Sequence, residues 1–117
     1  MVLIARALTQ KPEILIMDEP TSNLDFGNQI RVLEQINSLA KEGLAVIMTS
    51  HFPNHAFLCS TKVGLMEKNN KFKIGTADEI ITEENLKSVY GIDMKIASIQ
   101  GENGEKIRSC IPILGMA

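Results

Sequence analysis

Apolar residues fall into short segments with two different periods along this chain. Leu3, Ile4, Ala7 and Leu8 recur near every 3.6 residues, which predicts a helix over 2–8. "TQKPE" stops it, because Pro12 disfavours helical backbone at Lys11. Ile14-Leu-Ile-Met17 is a continuous apolar run closed by Pro20, and predicts a strand buried on both faces, the habit of parallel sheets. Asp25 then suits the N-cap of a long amphipathic helix over about 26–42. Ile30, Leu33, Ile36, Leu39 and Ala40 line one face of it, Lys41 suits its last turn, and Gly43 suits its C-cap. Leu44 to Met48 is a second continuous apolar strand, and it runs into the polar "TSH".

Strand, helix, strand with one-sided apolar patterning predicts a βαβ unit, hence a parallel sheet with a right-handed crossover. Ligands of such sheets bind outside the carboxyl ends of the strands. Asp18, Glu19 and His51 all fall at carboxyl ends. A buried strand that runs straight into two acids is a rigid rod presenting those acids at its tip.

Further on, Pro53 suits the first position of a short helix through Leu58. Strands over 62–67 and 72–75 flank the turn-rich "KNNK", which predicts a hairpin. Two short helices follow, over 76–81 and 82–90. Thr76 with Glu79 fits a capping box, whereas Thr82 with Asn85 is a weaker cap pattern. After Gly91 two strands, 94–99 and 107–114, bracket "QGENGEK", and Pro112 confines the second to an edge or a tail. No internal repeat or low-complexity segment occurs.

Composition narrows the classes. The chain has 117 residues, so a single compact domain is the default. It is 44% hydrophobic and 22% charged, which suits a globular protein and not a disordered one. A net charge of −2 with mixed signs gives no electrostatic case for nucleic acid or an anionic membrane surface. Aromatic residues make up 4% and Trp is absent, which argues against base-stacking platforms. Cys59 and Cys110 form no CxxC pair and read as two reduced thiols, not a zinc site or disulfide framework. No apolar run approaches the roughly 20 residues of a membrane helix, and residues 1–5 are too short for a signal-peptide core, so the reading is a cytosolic protein. His51 and His55 are four apart, but Pro53 lies between them, which disfavours a metal pair. His55 reads as a surface or dimer-proximal residue, and the methionines as core filler.

Acids on the tip of an apolar strand suit nucleotide hydrolysis. An Asp there holds Mg²⁺, usually through water, and the metal bridges phosphate oxygens. A neighbouring Glu orients or deprotonates the attacking water. Four apolar residues followed by Asp-Glu also fit a strand that simply meets solvent.

The following turn adds specificity. "DEPTSNLD" and the downstream "VIMTSH" closely resemble the ATP-binding-cassette (ABC) ATPases. In that family the first strand with its acids is the Walker B, "SNLD" corresponds to the D-loop, and the histidine after the next strand is the switch histidine. "VLIARAL" resembles the helix that follows the family's signature loop. "LDFGNQIRVLEQINSLAKEGLAVIMTSHFPNHAF" and "ADEIITEENLKSVYGIDMKI" look like the subgroup that energises uptake of iron–siderophore, haem and cobalamin. The resemblance covers about residues 1–97, and the tail over 98–117 is assigned only by its place after them.

The resemblance implies an α/β chain: a partial P-loop NTPase fold, with a parallel sheet and flanking helices, plus a small C-terminal α/β segment. Residues 1–75 would be the C-terminal half of the nucleotide-binding domain, and 76–117 a trailing segment. It implies ATP and Mg²⁺ as cofactors of the complete family domain. Asp18 would be the Mg²⁺-site carboxylate, acting through water, and Glu19 the catalytic base. His51 would contact the γ-phosphate. Ser22, Asn23, Leu24 and Asp25 would form the D-loop facing a partner subunit. Asn23 departs from the small residue, often alanine, of that loop. Implied partners are a second ATPase subunit in a head-to-tail dimer, integral membrane permease subunits and, indirectly, an extracytoplasmic solute-binding protein, with no nucleic acid. The implied place is the cytoplasmic face of the cell membrane.

No GxxxxGK[ST] loop occurs in the 117 residues, nor do the family's adenine-stacking aromatic, glutamine loop or LSGGQ-type signature. Asp18 and Glu19 would then face a polyanionic nucleotide with little to offset their charge. The expectation is a piece of a longer ATPase or the product of an interrupted gene. Such a chain would bind ATP negligibly by itself and expose an apolar sheet edge. A separate polypeptide supplying the N-terminal half would restore activity in trans. Two other readings stand beside it: a non-catalytic cassette remnant acting as an interaction module, and a fragment of a non-transport ABC ATPase.

Overall fold

The computed structural model describes residues 13–59 and 62–115, so the helix predicted over 2–8 lies outside the described residues. The chain divides into two compact units, Met1–His51 and Phe52–Ala117, where length alone suggested one. The architecture is mixed α/β throughout. Among the described residues no helix is long and apolar enough to cross a membrane.

The first unit is strand β1 (Ile14–Met17), helix α1 (Phe26–Lys41) and strand β2 (Ala45–Met48). The strands pair in parallel, Ile14 with Ala45 through Met17 with Met48. One further bond at each end extends the ladder, from the Ala45 amide to the Glu13 carbonyl at 3.3 Å and from the Thr49 amide to the Met17 carbonyl at 3.1 Å.

Helix α1 starts where Asp25 accepts the Asn28 amide. It ends in a Schellman turn, with the Gly43 amide on Ala40 and the Leu44 amide on Leu39. Gly43 takes φ +101° there, a conformation open to glycine and strained for other residues. The buried face is Val32, Leu33 and Ile36, while Ile30 and Leu39 are half-buried and Ala40 is exposed. The predicted stripe is thus shortened and recentred. Sixteen helical residues span roughly 24 Å. Two four-residue strands span about 13 Å, so the helix ends overhang the sheet.

Two-faced burial of the strands is not observed. Leu15 is 7% exposed, but its neighbour Ile16 is 74% exposed. Ile14 and Ile47 are exposed as well. Helix α1 covers one face of this two-stranded ladder, and alternation puts every second residue on the other.

The second unit runs α2 (Asn54–Cys59), β3 (Val63–Met66), β4 (Phe72–Gly75), α3 (Ala77–Ile80), α4 (Glu83–Tyr90), β5 (Met94–Gln100) and β6 (Lys106–Pro112). The predicted hairpin forms, β3 against β4, and the two strands that bracket "QGENGEK" pair with each other as a second one, β5 against β6. The Phe72 ring lies across Gly64, where a Cβ would overlap Cζ, so a side chain at 64 would displace the ring. Thr76 and Glu79 form the full capping box, and Thr82 caps α4 on the Asn85 amide. Gly91 closes α4 in the left-handed region. Leu65, Ile80, Ile81, Leu86 and Cys110 make the core. Cys110 is held at the edge of β6 by the Asn54 side chain, whose Oδ1 accepts the Cys110 amide at 2.6 Å and whose Nδ2 donates to the Cys110 carbonyl at 3.4 Å.

Candidate functional site

The site is built on the carboxyl ends of β1 and β2. Met17 pairs with Met48, so the next residues, Asp18 and Thr49, face each other across the end of the ladder. The Thr49 hydroxyl donates to Asp18 Oδ1 at 2.5 Å and accepts the Glu19 amide at 2.9 Å. Among the described residues Asp18 Oδ2 takes no hydrogen bond. Glu19 sits at φ +46°, in the left-handed region. That conformation costs a non-glycine residue about 1–2 kcal/mol. Its side chain meets His51, with Glu19 Oε1 against His51 Nε2. The Glu19 side chain is 36% exposed and that of His51 83%. A side-chain contact this open contributes little to stability, so the pairing sets orientation more than energy.

Parallel pairing therefore brings Asp18, Glu19 and His51 to one end of one ladder. Ser22, Asn23, Leu24 and Asp25 form the turn that leads from there into α1. The turn is held by the Ser22 amide on the Glu19 carbonyl at 3.0 Å and the Leu24 amide on the Thr21 carbonyl at 3.3 Å. Thr21 is buried beneath it. Gln29 Nε2 donates to the Leu24 carbonyl at 3.0 Å, tying the turn to the first helical turns. Asn23 takes φ +66°, a conformation asparagine tolerates better than most residues. That is a physical reason for asparagine at 23, where the resemblance led to a small residue.

His55 corrects an expectation. It is 6% exposed, not a surface residue, and its ring packs on Phe52 at 5.1 Å between centroids. Burial pushes its pKa below the usual imidazole value. Helix α2 turns it inward, which a count of residues between histidines does not reveal.

Among the described residues no group of three or more His, Cys, Asp and Glu side chains is placed to hold a metal ion by itself. Asp18 at a strand tip fits the other way a Mg²⁺ ion binds, by one or two carboxylates with water and phosphate oxygens. Thr49 is the residue that sequence reading passed over. Its signal was present in the polar "TSH" that ends β2, but its partners follow only from the strand register.

No family model matches the chain. It is 47% identical over 77% of its length to an uncharacterized ABC transporter ATP-binding protein of Haemophilus influenzae, covering 34% of that protein. An iron(3+)-hydroxamate import ATP-binding protein of Bacillus subtilis is 40% identical over 83% of this chain and 36% of its own length. Among solved structures, an inward-facing metal-chelate type ABC transporter matches with a TM-score of 0.89 at 32% identity, over 97% of this chain and 45% of that one. The chain spans about a third of the length of the curated relatives it matches. Over most of its length this chain is a homologue of the ATP-binding proteins of ABC transporters.

Proposed function

We propose that the chain carries the hydrolytic acids and switch histidine of an ABC importer ATPase. In this reading residues 1–75 belong to the nucleotide-binding domain and 76–117 trail it. The observation that carries it is the meeting of Asp18, Glu19 and His51 at the carboxyl end of the parallel pair. Mg²⁺ with ATP, when bound, neutralises phosphate charge at this end of the sheet. Asp18 would be the carboxylate that holds the cation. Glu19 accepts the proton of the attacking water, and His51 holds the Glu19 carboxylate in place while reaching toward the γ-phosphate. Ser22, Asn23, Leu24 and Asp25 face a second ATPase subunit arranged head to tail. The assembly lies at the cytoplasmic face of the membrane against permease subunits, which receive solute from an extracytoplasmic binding protein. The solute class is an iron chelate, haem or a cobalamin-like compound. The iron-hydroxamate relative supports the first, and a relative named for vitamin B12 import the last. A relative named for molybdate import keeps the range open to oxyanions.

The alternative reading is a non-catalytic interaction module. The two are separated by mixing the chain with a polypeptide that carries the phosphate-loop half of an import relative. Magnesium-dependent ATP hydrolysis in the mixture, lost about 10²-fold or more in Glu19→Gln while ATP still binds, is expected for the ATPase. A mixture that assembles but binds no nucleotide leaves the interaction module.

A further inference from the structure

We propose that Thr49 is a positioning residue of this site, holding the Asp18 carboxylate and the Glu19 backbone in one arrangement through a single hydroxyl. The consequence for hydrolysis rests on the ATPase reading above. The geometry does not.

A hydroxyl has one proton to donate and lone pairs to accept with. The Glu19 amide can only donate, so it must be received by a lone pair of Thr49 Oγ1, at 2.9 Å. The hydroxyl proton is then directed to Asp18 Oδ1, at 2.5 Å. An ionised carboxylate can only accept, so the chain amide–hydroxyl–carboxylate has one possible direction. Each bond polarises the next.

Both bonds cross the ladder, joining residues 31 and 30 positions apart. Neither belongs to the local turn. The Glu19 amide needs such a partner, because at φ +46° its backbone has left the strand conformation. The bond to Oδ1 fixes the plane of the Asp18 carboxylate while Oδ2 has no partner among the described residues. One side chain just past the end of β2 thus orients the two acids just past the end of β1, and through Glu19 the side chain that meets His51.

The test compares Thr49→Val with Thr49→Ser. Valine keeps the shape and the stiff branched Cβ suited to a strand, but can make neither bond. Serine can make both. By NMR on the full chain, Thr49→Val is expected to speed exchange of the Glu19 amide by about tenfold. It is also expected to weaken the strong amide–α-proton contact that a positive φ produces at Glu19, with amides inside the β1–β2 ladder unchanged. Thr49→Ser is expected to restore both signals. In the reconstituted mixture Thr49→Val is expected to lower kcat about tenfold or more with the KM for ATP nearly unchanged, and Thr49→Ser to recover it. Unchanged Glu19 signals in Thr49→Val, or a serine variant that behaves like valine, would overturn the proposal. Absent hydrolysis in the unsubstituted mixture would count against the ATPase reading alone, and the NMR comparison would still decide the role of Thr49.

Discussion

Asp25 has two separable roles, and substitutions there divide them. Its Oδ1 accepts the Asn28 amide at 2.8 Å and its Oδ2 accepts Asn28 Nδ2 at 3.3 Å. Asn28 Oδ1 in turn accepts Arg31 Nη1 at 2.9 Å. No acid occupies the first turn of α1, so the Asp25 charge alone complements the amino end of the helix dipole. Losing an N-cap side chain costs about 1 kcal/mol. Losing an exposed charge at a helix amino end costs about 0.3 kcal/mol. Asp25→Ala removes both and is expected to destabilise the fold by about 1–1.5 kcal/mol, whereas Asp25→Asn keeps the cap and is expected to lose about 0.3 kcal/mol. With a urea slope near 1.5 kcal/mol/M, the alanine variant shifts the midpoint of the helical circular dichroism transition by about 0.8 M and the asparagine variant by about 0.2 M. Equal losses in the two variants would refute the reasoning, because they would assign the stability to charge and not to the cap. If Asp25 also faces a partner subunit, as proposed, Asp25→Asn is expected to weaken assembly of the reconstituted ATPase while leaving the midpoint nearly in place.

Two further substitutions probe the second unit. Leu86 is 0% exposed at the centre of its core. Leu86→Ala is therefore expected to cost about 3–4 kcal/mol in urea unfolding, and a loss below about 1 kcal/mol would mean that this core is not packed as described. His55 titrates with its pKa lowered by burial, so the unfolded chain binds the proton more readily than the folded one. The stability this contributes is complete above the unfolded value of about 6.5 and declines as pH falls below it toward the lowered folded value. Unfolding midpoints measured from pH 7.5 down to pH 5 should fall, and should fall less in His55→Phe.

Elements whose causes are local were legible in the sequence. The four residues of β1, the Asp25 cap, the Gly43 helix end and the Thr76–Glu79 box each depend on neighbours within a few positions. The β3–β4 hairpin follows from turn residues between apolar runs. Burial was less legible, because it depends on what packs against an element. Ile14, Ile16 and Ile47 have the composition of two-faced burial, yet α1 covers one face of their ladder. His55 was misplaced for the same reason, since its burial against Phe52 is a packing outcome. At the site, Asp18, Glu19 and His51 could be placed at strand ends from the pattern alone. Thr49 could not be paired with Asp18 before the register was known.

That register is itself only weakly written into the strands. All four residues of β1 and all four of β2 are apolar, so sliding one strand by a residue would still present apolar side chains to α1. The ends of the ladder must supply what the strands lack. At one end the Schellman turn at Gly43 fixes where β2 begins, and the Ala45 amide reaches the Glu13 carbonyl. At the other the Thr49 amide closes on Met17, and the Thr49 hydroxyl closes on Asp18 and Glu19. A one-residue slip would exchange Thr49 for Ser50 opposite Asp18 and turn the hydroxyl to the other face, because successive side chains alternate. The bonds that orient the two acids are therefore also among those that select the register, so a chain in the wrong register would lose the geometry of the site along with its anchor.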